Sequence, residues 1–210
     1  MDKKLFLFDC DGVLVDSLKV FEQTVRECLD VIGQPIIKSR EDFLDLFDNN
    51  FYTAIVQKGV DLDAFMQAAG PILARINYDE MKPFEGLLPV VAAMNRRHPL
   101  VIISSGGEKT IRNQLIHFGF DGCFAAILGS DFLLSKIDKI NYAVSEFQAD
   151  KNQTYYVGDT TGDIREAKMA GIRTVAVTWG WHNRERLAVV QPDFMVYKPL
   201  ELLNILIKKS

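Results

Sequence analysis

The sequence predicts an α/β fold, a doubly wound parallel sheet interrupted early by a small inserted helical domain. Three observations carry this. Short apolar runs such as Leu5-Phe6-Leu7 and Leu100-Val101-Ile102-Ile103 read as strands buried on both faces. From residue 86 onward such runs alternate with segments of helical periodicity, the pattern of βα units in a parallel sheet. Between residues 16 and 84, by contrast, apolar residues recur at helical spacing and no strand pattern is visible. The chain therefore divides into a sheet-forming core, 1–15 and 85–210, and a helical insert, 16–84.

The first strand runs directly into Asp9-Cys10-Asp11-Gly12. In the insert, Leu18, Phe21, Val25, Cys28, Leu29 and Ile32 form one helical face, with Asp16 or Ser17 as N-cap and Gly33 as stop. Ser39 caps a second helix carrying Phe43, Leu46 and Phe47, which Asn49-Asn50 breaks. Phe51, Ile55 and Val56 make a short third helix ending near Gly59. Asp61 caps a fourth with Leu62, Phe65, Ala69, Ile72 and Ile76 on one face, and Gly70-Pro71 is expected to kink or split it. After the insert, helices are expected at about 87–97, 108–117, 136–147, 164–170 and 200–207. Strands are expected at 100–103, 124–128, 154–157, 174–177 and 194–196.

Composition excludes several classes. The 210 residues are 48% hydrophobic and 25% charged, enough for a sizeable core. A net charge of −4 gives no electrostatic footprint for nucleic acid or an anionic membrane surface. No apolar stretch is long enough to span a bilayer, and a strand begins almost at the first residue, so no signal peptide is expected. Cys10, Cys28 and Cys123 are an odd count without metal-ligand spacing and read as reduced thiols of a cytoplasmic protein. His98, His117 and His182 are scattered. The oligomeric state, monomer or homodimer, is left open.

The chemistry-bearing residues sit where strands end. Asp9 and Asp11 follow the first strand, Ser104 and Ser105 the second, and Asp159, with Asp163 four residues on, the fourth. Lys136 opens the helix after the third strand. In an open parallel sheet these ends converge on the carboxyl edge, where ligands bind. Four carboxylates crowded there repel, and a divalent cation is the natural remedy; Mg2+ takes oxygen ligands of this kind. Lys139, one helical turn beyond Lys136, competes for the same role. Each residue also has a plainer reading: an Asp-Gly turn, a serine cap, a solvated lysine, a first-turn carboxylate favoured by the helix dipole. Trp179-Gly180-Trp181 reads as packing. Gly107-Glu108-Lys109-Thr110 lacks the spacing of a nucleotide-binding P-loop.

These motifs, Asp9-x-Asp11-Gly12 with Leu14-Val15-Asp16-Ser17, then Ser104, Lys136 and Gly158-Asp159-x-x-x-Asp163, resemble those of the haloacid dehalogenase-like (HAD) superfamily in order and in chain coverage. The nearest likeness is to its phosphoglycolate phosphatase-like and β-phosphoglucomutase-like branch. The resemblance implies a Rossmann-like core with a cap domain and a Mg2+-dependent phosphatase acting on a small phosphorylated metabolite. It implies Asp9 as nucleophile through an aspartyl-phosphate, Asp11 as acid and base, and Ser104, Ser105 and Lys136 at the phosphate. Asp9, Asp11 (through its main-chain carbonyl), Asp159 and Asp163 would serve the metal. The alternatives are a phosphomutase of the β-phosphoglucomutase type and a non-catalytic module that binds phosphometabolites. Arg40, Asn50, Lys58 and Arg75 are insert residues that could meet a polar substrate, though each also reads as a solvated helix residue.

Overall fold

A computed structural model describes residues 3–133 and 135–207. Strand β1 (Leu5–Phe8) is buried along its whole length. A turn follows in which Gly12 adopts φ +77 and Gly12 N–H donates to the Val15 carbonyl, closing into the two-residue strand β2 (Val15–Asp16). Helices α1 (Leu18–Val31), α2 (Arg40–Asp45), α3 (Phe51–Gln57) and α4 (Leu62–Leu73) come next. The side chains of Ser39, Asn50 and Asp61 cap α2, α3 and α4, each accepting a backbone N–H of the first turn. Ser17 occupies the N-cap of α1 without a side-chain bond to it.

Strand β3 (Lys82–Pro83) pairs antiparallel with β2. This corrects the expectation that no strand interrupts residues 16–84: a two-residue strand is too short to show any periodicity. Nor does Gly70-Pro71 split α4, which runs past Pro71 to Leu73. Proline falls in the last turn, where only the preceding turn's carbonyl loses a partner.

The remainder alternates as expected: α5 (Leu87–Asn95), β4 (Leu100–Ile103), α6 (Glu108–His117), β5 (Ala126–Leu128), α7 (Lys136–Glu146), β6 (Thr154–Gly158), α8 (Thr161–Met169) and β7 (Arg173–Val177). Helix α9 (Arg184–Val189) was not foreseen; it has six residues and buries only Leu187. Strand β8 (Phe194–Val196) and helix α10 (Leu202–Ile207) close the chain.

The main sheet is parallel, in the order β5-β4-β1-β6-β7-β8. Alternate residues of β1 feed opposite layers. Phe6 and Phe8 join a cluster with Leu87, Val91, Ile111, Leu115 and Leu202 from α5, α6 and α10. Leu5 and Leu7 join Ile140, Ala143 and Ala167 from α7 and α8 on the other face. That two-sided burial is why the run carries no polar alternation. The chain winds from β1 outward to β4 and β5 on one side, and through β6 to β7 and β8 on the other. The crevice at the carboxyl end of β1 is thus the topological switch point. Helices α1–α4 hold a separate apolar cluster that includes Phe43, Phe51, Ile55, Phe65 and Ile72, and it also takes in Trp181 from the loop after β7. No helix among the described residues is long and apolar enough to cross a membrane.

Candidate active site

Asp9 is the first residue past β1, Ser104 the first past β4 and Asp159 the first past β6. Parallel neighbours in register deliver all three to one edge. Asp163 lies in the first turn of α8, where it forms a capping box with Thr160: its Oδ2 accepts from the Thr160 N–H at 3.1 Å and hydroxyl at 2.8 Å. Its other oxygen faces the crevice and accepts from Lys136 Nζ at 2.6 Å. One oxygen of Asp163 thus caps α8 while the other meets Lys136 at the crevice.

Lys136, at the first position of α7, also donates to Asp9 Oδ2 at 2.8 Å. Lys139 turns elsewhere: fully buried, it donates to the Ser104 carbonyl at 2.6 Å and so pins the loop after β4. The Ser104 hydroxyl accepts from Gly106 N–H at 3.0 Å, shaping the same loop, and both Ser104 and Ser105 line the cleft. Asp11 stands apart from the other carboxylates. Its Oδ1 accepts from Gln114 Nε2 at 3.1 Å, and its side chain is not among those that converge as candidate metal ligands.

Carboxylate oxygens of Asp9, Asp159 and Asp163 lie within 4.8 Å of one another, all buried. Asp159 Oδ2 accepts from the Trp181 N–H at 2.6 Å, whereas Oδ1 is buried without a partner. Backbone crowds close around this group: a Cβ on Gly12 or Gly180 would land on Asp159. Burial is the main force on the charges here. It raises Asp9 from 3.8 to about 7, aided by Asp163 and opposed by Lys136. It also raises Asp159 well above the usual carboxylate range, with Asp163 and Asp9 adding to the effect. Burial alone would lower Lys136, but Asp163 and Asp9 outweigh it and hold the ammonium well above its ordinary value. Lys139 is lowered to about 8 by burial and by Lys136, which outweigh the opposing pull of Asp9, Glu166 and Asp131. When ionised, three carboxylates and one ammonium leave two negative charges, and one carboxylate oxygen has no donor. A hard divalent cation fits that set.

A family model described as haloacid dehalogenase-like hydrolase matches residues 6–177. The chain belongs to the haloacid dehalogenase-like hydrolase family. It is 28% identical over 205 residues to a phosphoglycolate phosphatase of Synechococcus elongatus, covering 94% of each chain. To pyrophosphatase PpaX of Listeria monocytogenes it is 28% identical over 208 residues, covering 95% of this chain and 94% of the relative. Among solved structures it resembles a haloacid dehalogenase-like family protein of Streptococcus pneumoniae, with TM-score 0.81, 22% identity and coverage of 97% and 98%. A hydrolase of Pseudomonas syringae gives TM-score 0.82 at 18% identity, covering 97% and 98%.

In this HAD-like hydrolase two site residues escaped sequence reasoning. Gln114 is 1% exposed and bonds Asp11; a glutamine on the buried face of α6, beside Ile111 and Leu115, was the available signal. Trp181 packs as expected, yet its backbone N–H holds Asp159, and a main-chain donor leaves no mark in sequence. Of the four polar insert residues, Arg40 pairs with Glu22, Arg75 with Glu27, and Asn50 donates to Glu166 of α8. None of these, nor Lys58, lines the cleft.

Proposed function

We propose that this HAD-like hydrolase is a Mg2+-dependent phosphatase that cleaves a small phosphorylated metabolite through a phosphorylated Asp9, with residues 16–84 acting as a cap. One observation carries the reading. Asp9 leaves the central strand beside an ammonium that bridges two carboxylates, in a cluster where an oxygen of Asp159 has no partner. The relatives named as phosphatase and pyrophosphatase support it.

Asp9, Asp159 and Asp163 would hold the cation, together with the Asp11 carbonyl. When bound, it supplies positive charge that keeps Asp9 ionised and offsets the charge of the phosphoryl oxygens. A carboxylate oxygen of Asp9 attacks phosphorus while the bond from phosphorus to the ester oxygen breaks. Asp11 gives that oxygen its proton. Burial raises the Asp11 carboxyl, favouring the protonated form that this step requires, and Gln114 fixes its orientation. Water then attacks phosphorus and passes a proton to Asp11. The bond to Asp9 breaks, and inorganic phosphate leaves. Lys136, Ser104 and Ser105 steady the phosphoryl oxygens throughout.

The test is phosphate release from a panel of phosphate monoesters, with borohydride trapping of the acyl phosphate. Trapping should convert residue 9 to homoserine, and Asp9→Asn should abolish both signals while the fold persists. Turnover retained in folded Asp9→Asn overturns the mechanism. Conversion of a hexose 1-phosphate to its 6-phosphate without phosphate release would identify a mutase instead.

A further inference from the structure

The cleft above Asp9 has two unlike ends. At the sheet edge it is charged, lined by Asp9, Asp11 and Lys136. Towards α1, α3 and α4 its wall is apolar: Phe21, Val25, Phe47, Phe51, Phe65 and Leu73. The polar side chains on this side are already committed or neutral. The Thr24 hydroxyl donates to the Val20 carbonyl at 2.8 Å, and the Tyr52 hydroxyl to the Ser105 carbonyl at 2.6 Å. Cys28 is a neutral thiol, pushed up to about 11 chiefly by burial. Among the described residues no arginine or histidine lines the cleft, and its cation, Lys136, is held between Asp9 and Asp163. The free space amounts to about 100 Å³.

Resting on the phosphatase reading, we infer that the leaving group is small, uncharged and apolar, a short alkyl or aryl alcohol, and that the wall formed by Phe21, Phe47, Phe51, Phe65 and Leu73 selects it. A carboxylate or second phosphate carried into this end would lose its water and find no cation. An unpaired buried charge of that kind is strongly disfavoured. An alkyl or aryl group loses nothing polar and gains by leaving water.

The experiment compares near-isosteres in Mg2+. Calorimetry ranks propylphosphonate against phosphonoacetate for binding, and phosphate release ranks propyl phosphate against 2-phosphoglycolate and pyrophosphate by kcat/KM. The apolar member should win each comparison by at least tenfold. Met66 lines the cleft and is partly exposed, so Met66→Arg can supply a cation without burying its stem. It should improve phosphonoacetate relative to propylphosphonate by at least tenfold. Equal or tighter binding of phosphonoacetate by the wild type overturns the inference, as does a higher kcat/KM for 2-phosphoglycolate. If the binding order holds but no ester releases phosphate, the apolar site stands and the phosphatase reading falls. Absence of binding by both phosphonates overturns the inference, and if no ester releases phosphate either, the phosphatase reading falls with it.

Discussion

Removing divalent metal should make the stability of this protein fall as pH rises, because burial raises both Asp159 and Asp9; the share of Asp9 can be isolated by substitution. Asp9 is 8% exposed, and burial raises its carboxyl from 3.8 to about 7, with Lys136 opposing and Asp163 adding. A raised acid stays protonated in the native state while the unfolded chain has already released its proton. Its contribution is therefore complete below 3.8 and is lost as pH climbs through about 7. At about 1.36 kcal/mol per pH unit, the loss is on the order of 4 kcal/mol. For a chain of this size that is roughly 8–16 °C in melting temperature. His98 and His182, both lowered by burial, act with the opposite sign below the ordinary histidine value. The measurement is therefore a difference: melts of wild type and Asp9→Asn in EDTA, from pH 4 to pH 8. The wild type should lose ground to the variant steadily up to about pH 7 and then hold level. Mg2+ at a hundredfold excess over its dissociation constant should restore about 2.7 kcal/mol to the wild type. A difference that stays flat with pH, or that widens in favour of the wild type, would refute the argument.

Four further outcomes follow from the same geometry. Lys136→Met leaves Asp9 and Asp163 buried without their shared cation; it should cost about 3–5 kcal/mol of stability in metal-free buffer and nearly all phosphate release. Lys139→Met removes the donor to the Ser104 carbonyl, and should cost about 1–3 kcal/mol with activity reduced rather than lost, measured by urea melts and initial rates. Gln114→Leu frees the Asp11 oxygen it holds; kcat should fall about tenfold and the pH-rate profile should shift, and an unchanged profile would remove Gln114 from the site. Gly180→Ala drives a methyl group into Asp159 and the Gly12 carbonyl, so Mg2+-dependent stabilisation in a thermal melt should largely vanish although no ligand is altered.

Much of this was legible because strands buried on both faces are unmistakable in sequence and end where function begins. Asp9, Ser104 and Asp159 each follow such a run, so placing the runs side by side gathers the residues at one edge. Lys136 and Lys139 could not be separated from sequence, since both lie on one face of α7 and both are buried. Only the facing partners divide them: carboxylates for one, a carbonyl for the other. The β2–β3 ribbon and α9 were missed because two-residue strands and a six-residue helix with one buried side chain carry too little pattern. Asp11 shows a different limit. Its neighbours in sequence place it in the motif, but its bond to Gln114, 103 positions away, is a tertiary fact.

Trp181 lies far along the chain, yet its ring packs against Phe21, Phe43 and Phe47 of the helical insert. Nearby, Arg186 holds Glu41, Asp45 and Asp48, and His182 meets the Leu44 carbonyl at 3.0 Å. On a ribosome, residues 16–84 emerge about a hundred residues before these partners, and synthesis proceeds at roughly 5–20 residues per second. Over those seconds the nascent segment is expected to form its helices and caps while the side of its cluster that Trp181 covers stays open. An excised 16–84 fragment should accordingly keep helical far-UV circular dichroism and lack the near-UV signal of fixed aromatic packing. A fragment with a sharp near-UV spectrum and a cooperative melt would show that the insert completes itself.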